Sequence, residues 1–211
     1  LNKVDHVIAN SNFTKDLAIN LGVEEHRILV INPGVDPVKE IPSKDLKKAD
    51  EIFKGKKQRL ITVSRYDKRK NHEKVIMAIR NLKEVYPDIV YICIGYGDEE
   101  ENLKKLVIEL KLEDQVKFLK DIPSDFKNAL ISKSNVFIMP SIIYKKSVEG
   151  FGIAYVEAAQ HGIPSIGGKD GGASDAIIHE KTGLICDGNN LDDIYSSIDQ
   201  IFKENKYFEY G

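Results

Sequence analysis

Residues 59–94, RLITVSRYDKRKNHEKVIMAIRNLKEVYPDIVYICI, decide the fold of this chain. The stretch opens and closes with short apolar runs rich in β-branched residues, at 59–64 and 89–94, and an amphipathic segment at 73–86 lies between them. Nearly continuous apolar runs suit strands that are buried on both faces. Asn71 is a favourable N-cap for a helix that starts one residue later. The stretch therefore predicts a strand, a covering helix and a second strand parallel to the first.

The same alternation continues on both sides of this stretch. Downstream it predicts a doubly wound parallel α/β sheet, and upstream it occurs once more, as a strand, a helix and a strand over residues 4–31. The further predicted strands are 116–119, 136–139, 165–166 and 184–186, and the further predicted helices are 99–110, 124–132, 153–161, 173–178 and 191–202.

Residues 37–57 break the pattern. This stretch contains Pro37, Pro42 and seven lysines, with few large apolar residues. Such a composition is typical of a linker or a surface excursion. We therefore predict three parts: residues 1–36, which are too few to form a domain alone, a linker at 37–57, and one domain at 58–211.

Composition narrows the classes of partner. The chain has 31 Lys and Arg against 33 Asp and Glu, so we expect no nucleic-acid partner, and any phosphate site must be local. Cys93 and Cys186 lie in apolar runs without the spacing of a metal or redox motif, which predicts buried thiols in a reducing, cytoplasmic setting. No apolar run approaches the roughly 18 residues of a membrane span.

Three groups of residues follow predicted strands, at the edge where open α/β sheets bind ligands. The first is the basic loop at 64–70. Arg65 can grip phosphate oxygens with two donors, and Lys70 adds a compact charge. The loop is either a diphosphate clamp or a solvated basic turn, because short basic runs are common on protein surfaces.

The second group is the sequence EGFGIAYVE at 149–157. Its glycines let a ligand approach the backbone, and the free amides at a helix start suit an anion. Glu149 lies before the first turn of the predicted helix, and Glu157 lies two turns along it. Separated carboxylates suit two sets of hydroxyls, one on a sugar and one on a ribose. The alternative is a helix start with two exposed acids.

The third group is the sequence GGKDGG at 167–172, in which four glycines permit close backbone approach to a ligand or form a flexible loop. Gly95 and Gly97 lack the third glycine of a dinucleotide fingerprint, which disfavours a nicotinamide enzyme. The five histidines have no metal-ligand spacing, and we predict no metal site.

Taken in order, these motifs resemble the large family of retaining glycosyltransferases usually numbered four, whose members have two facing Rossmann-like domains, the GT-B fold. The most specific match is Glu149-x7-Glu157. The other matching segments are 4–36, which resembles the end of the family's first domain, Ser64-Arg65-x4-Lys70, 94–97, 116–119 and Gly171-Gly172-x-x-Asp175.

The resemblance implies roles for ten residues along one bound nucleoside-diphosphate sugar. Glu149 is the candidate catalytic residue, because it positions the sugar that is transferred. The implied contacts are Arg65, Lys70, Gly152 and Ile153 to the diphosphate, Glu149, Gly150 and Phe151 to the sugar, Glu157 to the ribose, and Leu119 and Lys120 to the edge of the base.

The chain departs from the family pattern at several positions. Ser64 replaces the usual glycine, Pro33 the usual asparagine, and Asp175 a glutamate. Residues 142–148 are longer than the family's common spacing. This segment is either a lip that shapes the choice of donor or acceptor, or a neutral insertion.

The resemblance implies sugar transfer with retention, from a nucleoside-diphosphate sugar to a saccharide or lipid acceptor. Basic side chains and helix amides would neutralise the leaving diphosphate, so we expect no metal and no other cofactor. The chain would be the donor-binding part, and peripheral membrane association would come from the N-terminal domain, most of which lies outside it. The alternatives are a nucleotide-sugar-binding module without transfer activity and, less favoured, a nicotinamide-dependent oxidoreductase.

Overall fold

A computed structural model describes residues 4–203 and 205–211 of the chain. Strands within these residues form a parallel pair, β1 and β2, and a six-stranded sheet with the order β5-β4-β3-β6-β7-β8, parallel at every pairing. The strands are β1 (Val7–Ala9), β2 (Ile28–Val30), β3 (Arg59–Val63), β4 (Val90–Ile94), β5 (Val116–Leu119), β6 (Val136–Met139), β7 (Ser165–Gly168) and β8 (Gly183–Cys186).

Helices connect the strands in the alternation that the sequence predicts. They are α1 (Asn12–Asn20), α2 (Ser43–Ile52), α3 (His72–Val85), α4 (Glu100–Glu109), α5 (Ser124–Ser132), α6 (Ile153–Ala159), α7 (Ala173–Ala176) and α8 (Leu191–Lys203). Strand β7 continues to Gly168, two residues beyond its predicted end, because both glycines pair with β8.

Two buried clusters lie on opposite faces of the six-stranded sheet. Successive side chains of a strand point to opposite faces, so Leu60 packs under α3, α4 and α8, whereas Ile61 packs under α2, α5 and α6. The same alternation holds along β6, where Ile138 and Phe137 belong to different clusters. The prediction of a doubly wound sheet with strands buried on both faces is confirmed.

The segment predicted as a linker contains a packed helix. Helix α2 lies within residues 37–57, and Ala49 and Phe53 are buried beneath it in one of the two main clusters. Its lysines occupy the outer face, while apolar residues at helical spacing face α5. The expectation of a linker therefore applies to the stretch before Ser43, where residues 31–42 form neither helix nor strand.

Residues 7–30 form a small unit of β1, α1 and β2 with its own cluster of Ala9, Ala18, Val23 and Ile28. The outer sides of its strands expose Ile8, Leu29 and Ile31 to solvent.

Cys93 and Cys186 are buried free thiols, as predicted. Within the described ranges, no helix is long and apolar enough to cross a membrane.

Candidate functional site

The order of the strands places a crevice at the centre of the sheet. The chain runs from β3 outward through β4 to β5 and then returns to the other side of β3 as β6. At such a reversal the connecting segments diverge to opposite faces, which opens a crevice outside the carboxyl ends of the two central strands. The loop 64–71 follows β3, and the segment 140–152 follows β6. These two connections form the walls of the candidate site.

Asn71 joins the two walls. Its side-chain amide donates to the carbonyl oxygens of Pro140 (2.9 Å) and Gly188 (2.8 Å). Helix α3 begins at His72 with Asn71 at the N-cap position, as predicted, but the Asn71 side chain makes no capping hydrogen bond to the helix. Both amide hydrogens are instead donated to carbonyl groups of buried residues, which need hydrogen-bond donors. Asn71 thereby fixes the loop after β3 against the connection after β6.

Glu149 lies between two cations of the opposite wall. Its Oε2 accepts a hydrogen bond from Arg69 Nη1 at 2.8 Å and another from the Lys70 ammonium. The side chains of Arg69, Lys70 and Glu149 are only 10%, 12% and 12% exposed. The two predicted residues of this group, Glu149 and Lys70, therefore meet in a nearly dry contact.

The three charged groups leave a surplus of positive charge. Burial alone would raise the pKa of Glu149, but Lys70 and Arg69 more than offset it and hold that pKa below its ordinary value. Burial lowers the pKa of Lys70, even though Glu149 acts in the opposite direction. Asp67 Oδ2 lies 3.9 Å from Arg69 Nη2 and 3.6 Å from Arg65 Nη2, so three cations face two carboxylates here, and an additional anion would stabilise the site.

Arg65 lies on the same loop in a different setting. Its side chain is 73% exposed, and its Nη2 is 3.6 Å from Asp67 Oδ2. The contacts of this structure therefore bring Lys70, but not Arg65, to Glu149.

Arg69 is the buried residue that the sequence analysis missed. Residues 68–70 form one 3-10 turn, and Asp67 Oδ1 accepts the Lys70 backbone N–H at 3.2 Å. Three successive residues of a 3-10 helix point in three directions about 120° apart. The three cations therefore cannot all face the crevice, but the sequence does not indicate which of them turn inward.

The start of α6 is held against the end of β6. Gly152 has a left-handed backbone (φ 90°), and a Cβ there would collide with the Tyr155 ring. The Tyr155 hydroxyl donates to the Met139 carbonyl at 2.6 Å. Phe151 is buried, whereas Ile153 at the helix start is exposed, and a Cβ at Gly150 would contact Asn10. The predicted amide contacts of these residues to a donor stay a prediction.

Glu157 has separate surroundings from Glu149. Its Oε1 lies 3.1 Å from the ammonium of Lys127 on α5, another residue that the sequence analysis did not identify. Both side chains line a cavity of about 860 Å³ between α5, α6 and the extended residues 34–39. The two glutamates therefore belong to different contact groups, in agreement with the expectation that they need not be partners.

The third glycine-rich loop supports Glu149 from behind. The Gly172 N–H donates to the Glu149 carbonyl at 2.8 Å. A Cβ at Gly171 would collide with the Glu149 carbonyl oxygen, and one at Gly172 with that of Gly150. These glycines therefore permit a close approach to the backbone of Glu149 and Gly150, and not only to a ligand.

Asp175 connects this loop to the N-terminal unit. Its Oδ2 accepts the backbone N–H and the side-chain Nδ2 of Asn12, both at 2.9 Å, and lies 3.4 Å from Asn32 Nδ2. A carboxylate at the first turn of α1 is also favoured by the dipole of that helix. The shortened acid of the Gly-Gly-x-x-Asp element thus bridges residues that are far apart in sequence.

Leu119 and Lys120 border a cavity of about 110 Å³ at the end of β5, which is also lined by Tyr66 and Gly95. Lys120 also borders a second cavity of about 460 Å³, together with Tyr96. A Cβ at Gly95 would collide with the Ser64 carbonyl oxygen. This glycine is therefore required for contact between the loops after β3 and β4, which is a structural reason for it other than a dinucleotide site.

The segment 142–148 forms a small turn at the crevice. Tyr144 and Ser147 pair through two backbone hydrogen bonds of 3.0 Å, and the Ile142 N–H donates to the Arg69 carbonyl at 3.0 Å. Lys68 and Lys145 lie 5.8 Å and 5.5 Å from the Tyr144 ring centroid.

Among the residues that the structure describes, no group of three or more His, Cys, Asp or Glu could hold a metal ion.

Solved structures share this fold. Alr3699/HepE of Anabaena, crystallised with UDP and glucose, has a TM-score of 0.82 at 22% identity, and the match covers 98% of this chain and 56% of that one. A glycosyltransferase from Rickettsia africae has a TM-score of 0.82 at 26% identity, with the same coverage. The fold is that of the GT-B glycosyltransferases.

Sequence relatives agree with the structural class. A GDP-mannose-dependent alpha-(1-6)-phosphatidylinositol monomannoside mannosyltransferase of Mycolicibacterium smegmatis is 29% identical over 82% of this chain. The amylovoran biosynthesis glycosyltransferase AmsK of Erwinia amylovora is 29% identical over 80% of this chain. The chain spans 46% and 40% of the lengths of these two relatives.

Two family models match the chain and show the family to which it belongs. The model for glycosyl transferases group 1 matches residues 43–210, and that for glycosyltransferase family 4 matches residues 1–39. The chain belongs to the group 1 glycosyl transferases, which confirms the family resemblance.

Proposed function

We propose that this chain is the donor-binding part of a retaining glycosyltransferase, which moves a sugar from a nucleoside-diphosphate sugar to a saccharide or lipid acceptor. The observation that carries the proposal is the buried group of Arg69, Lys70 and Glu149 at the central crevice. Its surplus positive charge suits a diphosphate, and its carboxylate suits the hydroxyls of an adjacent sugar.

The residues of the crevice suit different parts of one donor. Lys70, with Arg65 at the solvent side, would bind the diphosphate, aided by the amides of Gly152 and Ile153. Both cations contact Oε2 of Glu149, so Oε1, which has no hydrogen bond within the described residues, would accept hydrogen bonds from the donor sugar, beside Gly150 and Phe151. Glu157 would exchange its half-exposed contact with Lys127 for the ribose hydroxyls, and Leu119 and Lys120 would border the base.

The chemical step needs charge stabilisation more than a protein nucleophile. The bond between the anomeric carbon and the diphosphate oxygen breaks, and a bond to the acceptor oxygen forms on the same face of the sugar. The acceptor proton passes to the departing diphosphate. Lys70 and Arg65 would stabilise the negative charge that develops on the leaving group, without a metal or another cofactor, and Glu149 would hold the sugar in position.

The comparisons support the substrate class and leave its members open. HepE was crystallised with UDP and glucose, and the Mycolicibacterium relative is named for GDP-mannose and a phosphatidylinositol monomannoside. We therefore infer a nucleoside-diphosphate sugar donor. Action in the cytoplasm, with membrane association through the N-terminal domain, belongs to the same proposal.

Calorimetric titration of the chain with ADP, GDP, UDP and their sugars tests the proposal. Glu157→Gln should weaken binding of the free nucleotide by about 1–3 kcal/mol, because an amide replaces a charged acceptor for the ribose hydroxyls. Glu149→Gln should leave the affinity for the free nucleotide nearly unchanged and remove the gain that the sugar provides. Glu51→Gln, an exposed change on α2, is the matched control. Absence of binding by every nucleotide, or equal losses of nucleotide affinity at the two glutamates, would refute the assignment.

A further inference from the structure

Arg69 is fixed to both walls of the crevice. Its guanidinium contacts Glu149, its backbone carbonyl accepts the Ile142 N–H, and Asp67 Oδ2 lies 3.9 Å from its Nη2. The side chain is only 10% exposed, and Nε is a buried donor without a hydrogen-bond partner in the described part of the chain. Arginine keeps its charge at every pH at which a protein folds. Arg69 is therefore a permanent cation in a rigid position.

Lys70 contacts the same carboxylate oxygen in a different way. Its ammonium lies at the end of a flexible stem, and its second recorded contact is the weak acceptor Met139 Sδ, at 3.4 Å. A diphosphate carries more negative charge than one carboxylate, so a bound donor attracts this ammonium more strongly than Glu149 does. If Lys70 were the sole partner of Glu149, donor binding would leave a nearly dry carboxylate without a counterion, which is strongly unfavourable.

We propose that Arg69 is a positioning residue for Glu149, the partner that keeps this carboxylate in place and charged when the Lys70 ammonium turns to the donor diphosphate. The inference rests on the function proposed above. It separates the two adjacent cations of the loop: Lys70 acts on the donor, whereas Arg69 acts only through Glu149. Arg69 is therefore not expected to contribute to the binding of a nucleotide that carries no sugar.

Other charged groups near Glu149 do not replace Arg69. Asp67 is an anion on the same loop, and Tyr155 on α6 is neutral because burial raises the pKa of its phenol. On the third loop, Lys169 pairs with Asp187 at 2.8 Å. In an Arg69→Met variant, Lys70 is thus the remaining cation in contact with Glu149.

The first measurement needs no ligand. The pKa of the Glu149 carboxyl, followed by carbon-13 NMR with Glu149→Gln to assign its signal, should rise by about one pH unit or more in Arg69→Met, the usual effect of losing an adjacent opposite charge. Lys68→Met, which removes an exposed cation from the same turn, should leave it unchanged. Arg69→Lys should restore most of the wild-type value. An equal pKa in Arg69→Met and wild type would overturn the inference.

The second measurement tests the step in which Lys70 turns away. The ratio of affinities for nucleoside-diphosphate sugar and free nucleoside diphosphate is followed from pH 7 to 5 in wild type and variant, since the terminal phosphate of the free nucleotide titrates near pH of about 6 in both cases. Relative to the wild-type ratio, the Arg69→Met ratio should fall at least about fivefold over that range, because the carboxylate takes up a proton. In a Glu149→Gln background, Arg69→Met should add no pH dependence. The same pH dependence of the ratio in Arg69→Met and wild type, or the same additional fall in both backgrounds, would overturn the inference, whereas absence of nucleotide binding by the wild type would refute the proposed function instead.

Discussion

His72, the first residue of α3, is held neutral by its surroundings. The imidazole packs edge-on against the Tyr66 ring at 5.0 Å, and its buried Nδ1 has no hydrogen-bond partner among the residues that the structure describes. Burial, with a smaller effect of Lys70, lowers the pKa of His72 to about 3. Protonation of this side chain therefore accompanies unfolding.

Acid should destabilise the chain through His72. In the unfolded chain this histidine titrates near its ordinary pKa of about 6.5, whereas in the folded chain it stays neutral down to pH of about 3. The unfolded state then binds the extra proton, and the free energy of unfolding falls by about 1.4 kcal/mol for each pH unit between these limits. Urea unfolding at pH 6.5, 5.5 and 4.5 should show a shallower fall for His72→Gln than for wild type. Equal slopes would contradict the prediction, and His26→Gln, an exposed change, is the control.

The sequence could identify Glu149 and Lys70 because spacing within a loop and a helix start is visible in it. Arg69 could not be identified in the same way, since the direction of each side chain depends on the 3-10 turn that residues 68–70 adopt. The contact between Lys127 and Glu157 joins two helices, so its formation depends on how α5 packs against α6. Local spacing was sufficient for candidates, and tertiary packing decided their partners.

Among the elements, α2 shows how proline can conceal a helix. Pro42 lies at the N-cap position, directly before Ser43, where its missing N–H and fixed φ do no harm. Leu46, Ala49 and Phe53 follow at helical spacing and pack in the core on the side of α5. The seven lysines of the segment dominate its composition, but composition does not distinguish an outer face from a linker.

Phe53 should be a core residue for stability. It is 1% exposed, and the Arg59 guanidinium lies 5.2 Å from its ring centroid. Phe53→Ala should lower the free energy of unfolding by about 3–5 kcal/mol, the range for aromatic residues removed from a core. Lys54→Ala, at the exposed neighbouring position, should change it by less than about 0.5 kcal/mol. Urea unfolding measures both, and a small effect of Phe53→Ala would restore the interpretation of the segment as a linker.

At the scale of the whole molecule, Asp175 should keep the N-terminal unit of β1, α1 and β2 against the domain that contains the six-stranded sheet. Asp175→Ala removes the acceptor for both Asn12 donors, so amide exchange in the first turn of α1 should become faster, while exchange in β3 and β6 stays unchanged. Hydrogen exchange followed by mass spectrometry measures this difference, with Asp192→Ala as an exposed control. Unchanged protection of α1 in Asp175→Ala would show that other contacts hold the unit.

The position of β3 beside β6 also has a consequence for folding kinetics. Strands β3, β4 and β5 pair in chain order, as do β6, β7 and β8, whereas Leu60 must pair with Val136 across three helices and two strands. Pairing over such a long stretch carries the largest loop-closure cost and forms slowly. The crevice with Glu149 and Lys70 exists only after this pairing, so a ligand that binds there stabilises chains in which β3 and β6 have paired and does not stabilise either half of the sheet alone.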